Sequence, residues 1–133
     1  MLVDRDVKKL LERLLSEEFA RIEVGGFDIS IKMFDHGTKL SLSTPVYLGG
    51  NYIPKSVRNC LSQKSPFGFD EIKTYLTVDE RRFSVLLNYL GTLENSSNTS
   101  LKSLVEEFSW LASEWQLYLD EHGRNDLVHI HHK

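Results

Sequence analysis

The chain has 133 residues, 41% hydrophobic and 11% aromatic, which suffices for one domain with a core of its own. Sixteen Lys and Arg against nineteen Asp and Glu give a formal charge of -3 and a pI near 5.9, and the cations are scattered among acids, which argues against a nucleic-acid-binding face. Cys60 is the single cysteine and fits a reducing compartment; the charged first turns of "MLVDRDVKKLLERLL" and the absence of a long apolar run argue against a signal peptide or membrane insertion, so a cytoplasmic protein is expected.

Val3, Val7, Leu10, Leu11, Leu14 and Leu15 recur at helical spacing and predict an amphipathic helix from Asp4 to about Phe19. From Phe27 the period becomes two, with Phe27, Ile29, Ile31 and Met33 alternating with Asp28, Ser30 and Lys32 as in a half-buried strand. "DHG" at 35–37 turns the chain, and Leu40 and Leu42 resume the alternation, completing a hairpin. Pro45 interrupts it, so "VYLGG" reads as a strand end or a short third strand. "IPKSVRNCLSQK" predicts a short helix with Pro54 in its first turn and Val57, Cys60 and Leu61 inward. After the irregular "SPFGF", a second hairpin follows: Ile72, Thr74, Leu76 and Val78, the turn "DERR", then Phe83, Val85, Leu87 and Tyr89. "TLENSSNTS" is a polar linker; its Asn-x-Ser patterns at Asn95 and Asn98 read as loop, and Asn98, Thr99 and Ser100 offer helix caps.

The last helix, "LKSLVEEFSWLASEWQLYLDEH", is predicted to stop near Gly123. At about 100° per residue, Leu101, Leu104, Val105, Phe108, Leu111, Ala112, Trp115, Tyr118 and Leu119 form a core-facing stripe. Trp110 and Leu117 fall on the opposite face, among Glu106, Ser113, Glu114 and Glu121. A loop of the same chain, a second subunit or a partner protein could cover them. The expected fold is one α+β domain over 1–133, in the order α-β-β-(β)-α-β-β-α, with a mostly antiparallel sheet and helices packed on it. Residues 124–133 read as a flexible tail. Leu14, Ile29, Ile31, Leu76, Val85, Phe108 and Trp115 are the expected core.

Catalytic signatures are thin. Cys60 lies at helical spacing with Val57 and Leu61 and reads as a buried structural thiol. Asp79-Glu80 and the acids at 106, 107, 114, 120 and 121 fall in a turn or on a solvated helix face rather than as an acid-base pair. Gly25-Gly26 and Gly49-Gly50 lack the spacing and lysine of a phosphate loop. His129, His131 and His132 have no Cys or carboxylate at ligand spacing beside them. No catalytic residue, cofactor or metal site is expected.

The helix "VKKLLERLL", the strand pair "YLTVDERRFSVLLNYLG" and the helix "LVEEFSWLASEWQLYL", in this order in a small acidic chain, resemble the class I type III secretion chaperones of Gram-negative bacteria. The resemblance spans about Asp4 to Glu121; a pI near 5.9 is less acidic than in many members. It implies a homodimeric, non-enzymatic chaperone of the bacterial cytoplasm that keeps the N-terminal segment of a secreted protein extended and export-competent. It also implies a dimer interface through the middle helix and second hairpin, with Val57, Leu61 and Tyr75 on it. An extended client has no core, so it must bury its apolar side chains in grooves on its chaperone and can add a strand to a sheet edge. Leu11 and Leu15 at one margin of the first helix, Met33 and Phe34 at the end of the first strand, and Trp110 and Leu117 are the expected partner-binding residues. A second reading is a regulatory module that binds a cytosolic component of the transcription or secretion machinery, and a third is a small enzyme.

Overall fold

The computed structural model describes residues 4–62, 72–92 and 98–131. Val7, Leu10, Leu11 and Leu14 recur every three or four residues and form the buried stripe of α1 (Asp4–Glu17). The helix ends before its apolar pattern does. Glu18 adopts a left-handed φ of 62°, its N–H donates to the Leu14 carbonyl at 2.9 Å, and its own carbonyl accepts from the Met33 N–H at 2.9 Å. These bonds reverse the chain, and Phe19 opens a strand instead of closing a helix.

That strand, β1 (Phe19–Val24), is missing from the sequence reading: Ala20, Ile22 and Val24 alternate inward, but no breaker separates them from the helix. Gly25 and Gly26, both at positive φ, turn the chain into β2 (Phe27–Phe34). After the turn at 35–38, where the Thr38 N–H and hydroxyl both donate to the Asp35 carbonyl, β3 (Lys39–Leu48) runs unbroken through Pro45. No interruption occurs, because the ladder with β2 ends at Ser43 and demands no donor on that flank beyond it. The proline leaves its mark on the other flank, where the register slips between Pro45 and Tyr47.

α2 (Lys55–Asn59) is shorter than the apolar spacing implies; Pro54 precedes it, and a 3-10 turn, Cys60–Ser62, follows. "SPFGF" and the linker at 93–97 lie outside the described residues. β4 (Thr74–Asp79) and β5 (Ser84–Thr92) form the second hairpin. Its turn is tied by the Arg81 and Arg82 N–H groups donating to Asp79 Oδ1 at 3.1 and 3.4 Å, and it ends on Phe83 at φ 51°. α3 (Asn98–His131) passes straight through Gly123. The glycine is not a stop: a Cβ there would lie 2.7 Å from the Tyr47 hydroxyl, so it permits close approach of α3 to β3.

Among the described residues five strands form one antiparallel sheet in the order β1-β2-β3-β5-β4, with β1 and β4 at its edges. α1 lies on β1 and β2, α3 runs beside it over β3, and α2 packs against α3 with its following turn against β4. The fold is therefore α+β, as expected from the pattern of elements. Leu14, Ile29, Ile31, Val85, Phe108 and Trp115 are buried between sheet and helices. Leu76 departs from the expected core: it is only half-buried, because β4 is an edge strand beyond the cover of α1 and α3.

Candidate partner-binding surfaces

Burying a large apolar side chain is worth about 1.5–3 kcal/mol, so the apolar groups that this fold leaves in water are the places to look for partners. Among the described residues three regions hold most of them, while Leu48, Tyr52 and Leu90 are exposed outside these. The first is the corner where α1 passes into β1. Leu15, on the last turn of α1, is 59% exposed, and Phe19 and Phe34 are 41% and 37% exposed. Phe19 pairs directly with Lys32, on the face of the sheet away from the helices, which places Phe34 diagonally across the same two strands at about 7–8 Å. The unpaired flank of β1 runs beside them. Surface ion pairs hem the region, Arg13 with Glu17 at 3.4 Å and Lys39 with Asp35 at 3.2 Å.

Of the first-helix and first-hairpin residues expected to bind a partner, Leu15 and Phe34 are on this surface. Leu11 and Met33 are not: both belong to the buried core, Leu11 because it shares the α1 stripe with Val7 and Leu14, and Met33 because it alternates inward with Ile29 and Ile31. Phe19 takes their place. The alternation of Ala20, Ile22 and Val24 against Phe19, Arg21 and Glu23 is the sequence signal that would have found it.

The second region surrounds β4. Tyr75 faces away from the helices opposite Asn88 and is 52% exposed. On the other face Leu76 and Val78, opposite Leu87 and Val85, are only partly covered, as is Leu61 in the turn after α2. Val57 is fully buried within the chain and supports α2 from beneath. Asn88 organises the outward side: it accepts from the Ser43 hydroxyl at 3.1 Å and donates to Thr77 Oγ1 at 2.9 Å, bridging β3, β5 and β4.

The third region is the outward side of α3, where Trp110 is 49% and Leu117 64% exposed. Both stand where the helical wheel puts them, opposite Phe108, Leu111, Trp115 and Leu119.

Cys60 and His122 make contacts within the fold. Cys60 is buried, its Sγ–H donates to the Ser56 carbonyl at 3.3 Å, and burial pushes its thiol above the ordinary range, the opposite of an activated thiolate. His122 joins α3 to α2: its Nδ1 is 2.8 Å from the Tyr118 carbonyl, its ring tilts against Tyr118, and its own carbonyl accepts from the Ser56 hydroxyl at 3.0 Å. Among the described residues no group of three His, Cys, Asp or Glu side chains is placed to hold a metal ion. No helix among them is long and apolar enough to cross a membrane.

No family model matches the sequence, and no curated protein does. The fold, however, superposes on a chain of the crystal structure of the ExsC-ExsE complex with a TM-score of 0.62, over 90% of this chain and 97% of that one. At 15% identity the likeness is one of architecture, and it says nothing of individual residues. It spans nearly the whole of both chains.

Proposed function

We propose that this chain is a non-enzymatic secretion chaperone, of the class I type III kind, that holds the N-terminal segment of a secreted protein extended at the α1–β1 corner. The observation that carries the reading is the set of exposed apolar side chains, Leu15, Phe19 and Phe34, beside the unpaired edge of β1. An extended segment adding to that edge gains main-chain hydrogen bonds along the strand, and its alternate side chains reach Phe19 and Phe34 on the outward face. The partner in the similar complex, ExsE, supports a protein-binding role for the fold. The chaperone acts as a homodimer in the bacterial cytoplasm, closing over β4 and the turn after α2 through Leu61, Tyr75, Leu76 and Val78. Such an interface buries about 1,200–2,000 Å² in total.

Replacement of Leu15 and Phe34 by glutamate tests the reading. Both side chains are exposed, so the variant folds with an unchanged circular dichroism spectrum. It fails to co-purify the N-terminal segment of the secreted protein that the unaltered chain retains. Full retention by the double variant sinks the assignment of the site. The regulatory reading, in which a folded cytosolic protein is the partner, draws its support from a different place, the outward ridge of α3.

A further inference from the structure

Trp110 and Leu117 stand seven residues apart on the outward side of α3, about 10.5 Å along the helix axis. Around them the helix carries carboxylates: Glu106 and Glu114 lie one turn either side of Trp110, and Asp120 and Glu121 follow Leu117. None of these four makes an ion pair among the described residues, although Arg13, Arg21, Lys39 and Arg58 all do so elsewhere on the surface. The same helix carries cations at the two ends of the ridge, Lys102 one turn before Glu106 and Arg124 beyond Glu121. An exposed tryptophan and leucine framed by unpaired negative charge is a surface built for a partner with the opposite charge.

The spacing says what shape that partner has. In an extended strand, 10.5 Å is about three residues, and residues three apart point to opposite sides of a strand, so an extended segment cannot place side chains on both anchors from one face. A helix repeats its face every seven residues, the same interval as the ridge, and two helices crossing at about 20° keep such rows in register. Self-association is disfavoured by charge: a two-fold pairing of this face with itself would bring the carboxylates of Glu106, Glu114 and Glu121 on one copy up to those of the other.

We propose that the outward face of α3 docks a basic amphipathic helix of a second protein, with Trp110 and Leu117 as apolar anchors and Glu106, Glu114 and Glu121 as charge partners. This site is separate from the α1–β1 corner, and it operates whether or not that corner holds a secreted client. A secretion chaperone with this second face can be read by another protein while its client remains bound.

The probe is a synthetic helical peptide of about six turns with leucines at one face and lysines beside them, titrated calorimetrically into the full-length chain. A second peptide carries glutamates in place of the lysines. The lysine peptide binds, more weakly as salt rises, and the glutamate peptide does not. Trp110→Ala weakens binding by about tenfold or more, as does the triple change Glu106→Gln, Glu114→Gln, Glu121→Gln. Equal binding of the two peptides, or unaltered affinity in Trp110→Ala, overturns the proposal. So does a Trp110→Ala variant whose molar mass in light scattering falls, which makes the occupant a second copy, or whose unfolding midpoint falls as far as that of Trp115→Ala, which makes it a segment of the same chain.

Discussion

Gly123 of α3 lies directly under the phenol of Tyr47 on β3, so that a Cβ at 123 would come within 2.7 Å of the hydroxyl oxygen and 3.3 to 3.4 Å of the ring. Glycine inside a helix costs about 1 kcal/mol relative to alanine, and here that cost is offset by close packing of helix on sheet. The account predicts a coupling. In a Tyr47→Phe background, where only ring carbons remain to shift by a few tenths of an ångström, Gly123→Ala raises the unfolding free energy by about 1 kcal/mol. In the unaltered chain the same change gains at least about 0.5 kcal/mol less. Equal effects in both backgrounds, measured by urea unfolding, would show that the phenol imposes no constraint.

Two tryptophans on α3 carry opposite expectations. Trp115, 3% exposed and edge-on to Tyr118 at 5.7 Å, is core, and Trp115→Ala should cost about 3–5 kcal/mol. Trp110 is half in water, and Trp110→Ala should change stability by no more than about 0.5 kcal/mol. Thermal unfolding of the two variants side by side checks this, and similar losses would contradict the placement of Trp110 on an uncovered face.

Alkaline pH should weaken the fold through Cys60. Burial favours the neutral thiol and raises its folded pKa above the unfolded one, so its contribution is complete below about 8.5 and is lost as pH climbs through the folded value. Tyr89, pushed up by burial and then by Glu107, adds a similar fall above about 10. Urea unfolding from pH 7 upward should therefore show stability declining first above about 8.5, and Cys60→Ala should remove that first decline while leaving the second. A stability that is flat to pH 10 in the unaltered chain would show that the thiol titrates as freely folded as unfolded.

Dimerisation is tested at β4. Tyr75→Glu with Leu61→Glu places two charges on the proposed interface without touching the buried Val57. Light scattering at micromolar concentration should give twice the chain mass for the unaltered protein and the single mass for the variant. A monomeric unaltered chain would remove the dimer from the account.

What the residues disclose in advance follows their periodicity. The alternations at 27–33, 40–42, 74–78 and 85–89 and the stripe through Phe108 and Trp115 each repeat long enough to fix type and inward face, so four of the strands and the long helix were legible. β1 was hidden because the α1 stop at Glu18 is made by a non-glycine residue in a left-handed conformation, stabilised by a bond from Met33 that only the folded sheet supplies. Gly123 misled for the converse reason, since its contact with Tyr47 is tertiary. At the candidate surfaces, the helical wheel alone placed Trp110 and Leu117 outward, whereas Leu15 was read at the margin of the α1 stripe and Phe34 at the end of its strand. Leu11 and Met33 were misjudged because a position at the margin of an apolar stripe is decided by which neighbours cover it. Phe19 was missed together with β1, whose alternation at 19–24 follows the helix without a breaker.

The central claim is that an extended client segment pairs with the open edge of β1. Hydrogen–deuterium exchange tests it most directly, comparing the full chain alone with its complex with the N-terminal segment of the secreted protein that co-purifies with it. The account predicts that exchange slows in Phe19–Val24, whose outer flank is otherwise open to water, while the outward face of α3 exchanges as before. Unchanged exchange in β1 with protection confined to β4 or α3 would contradict it.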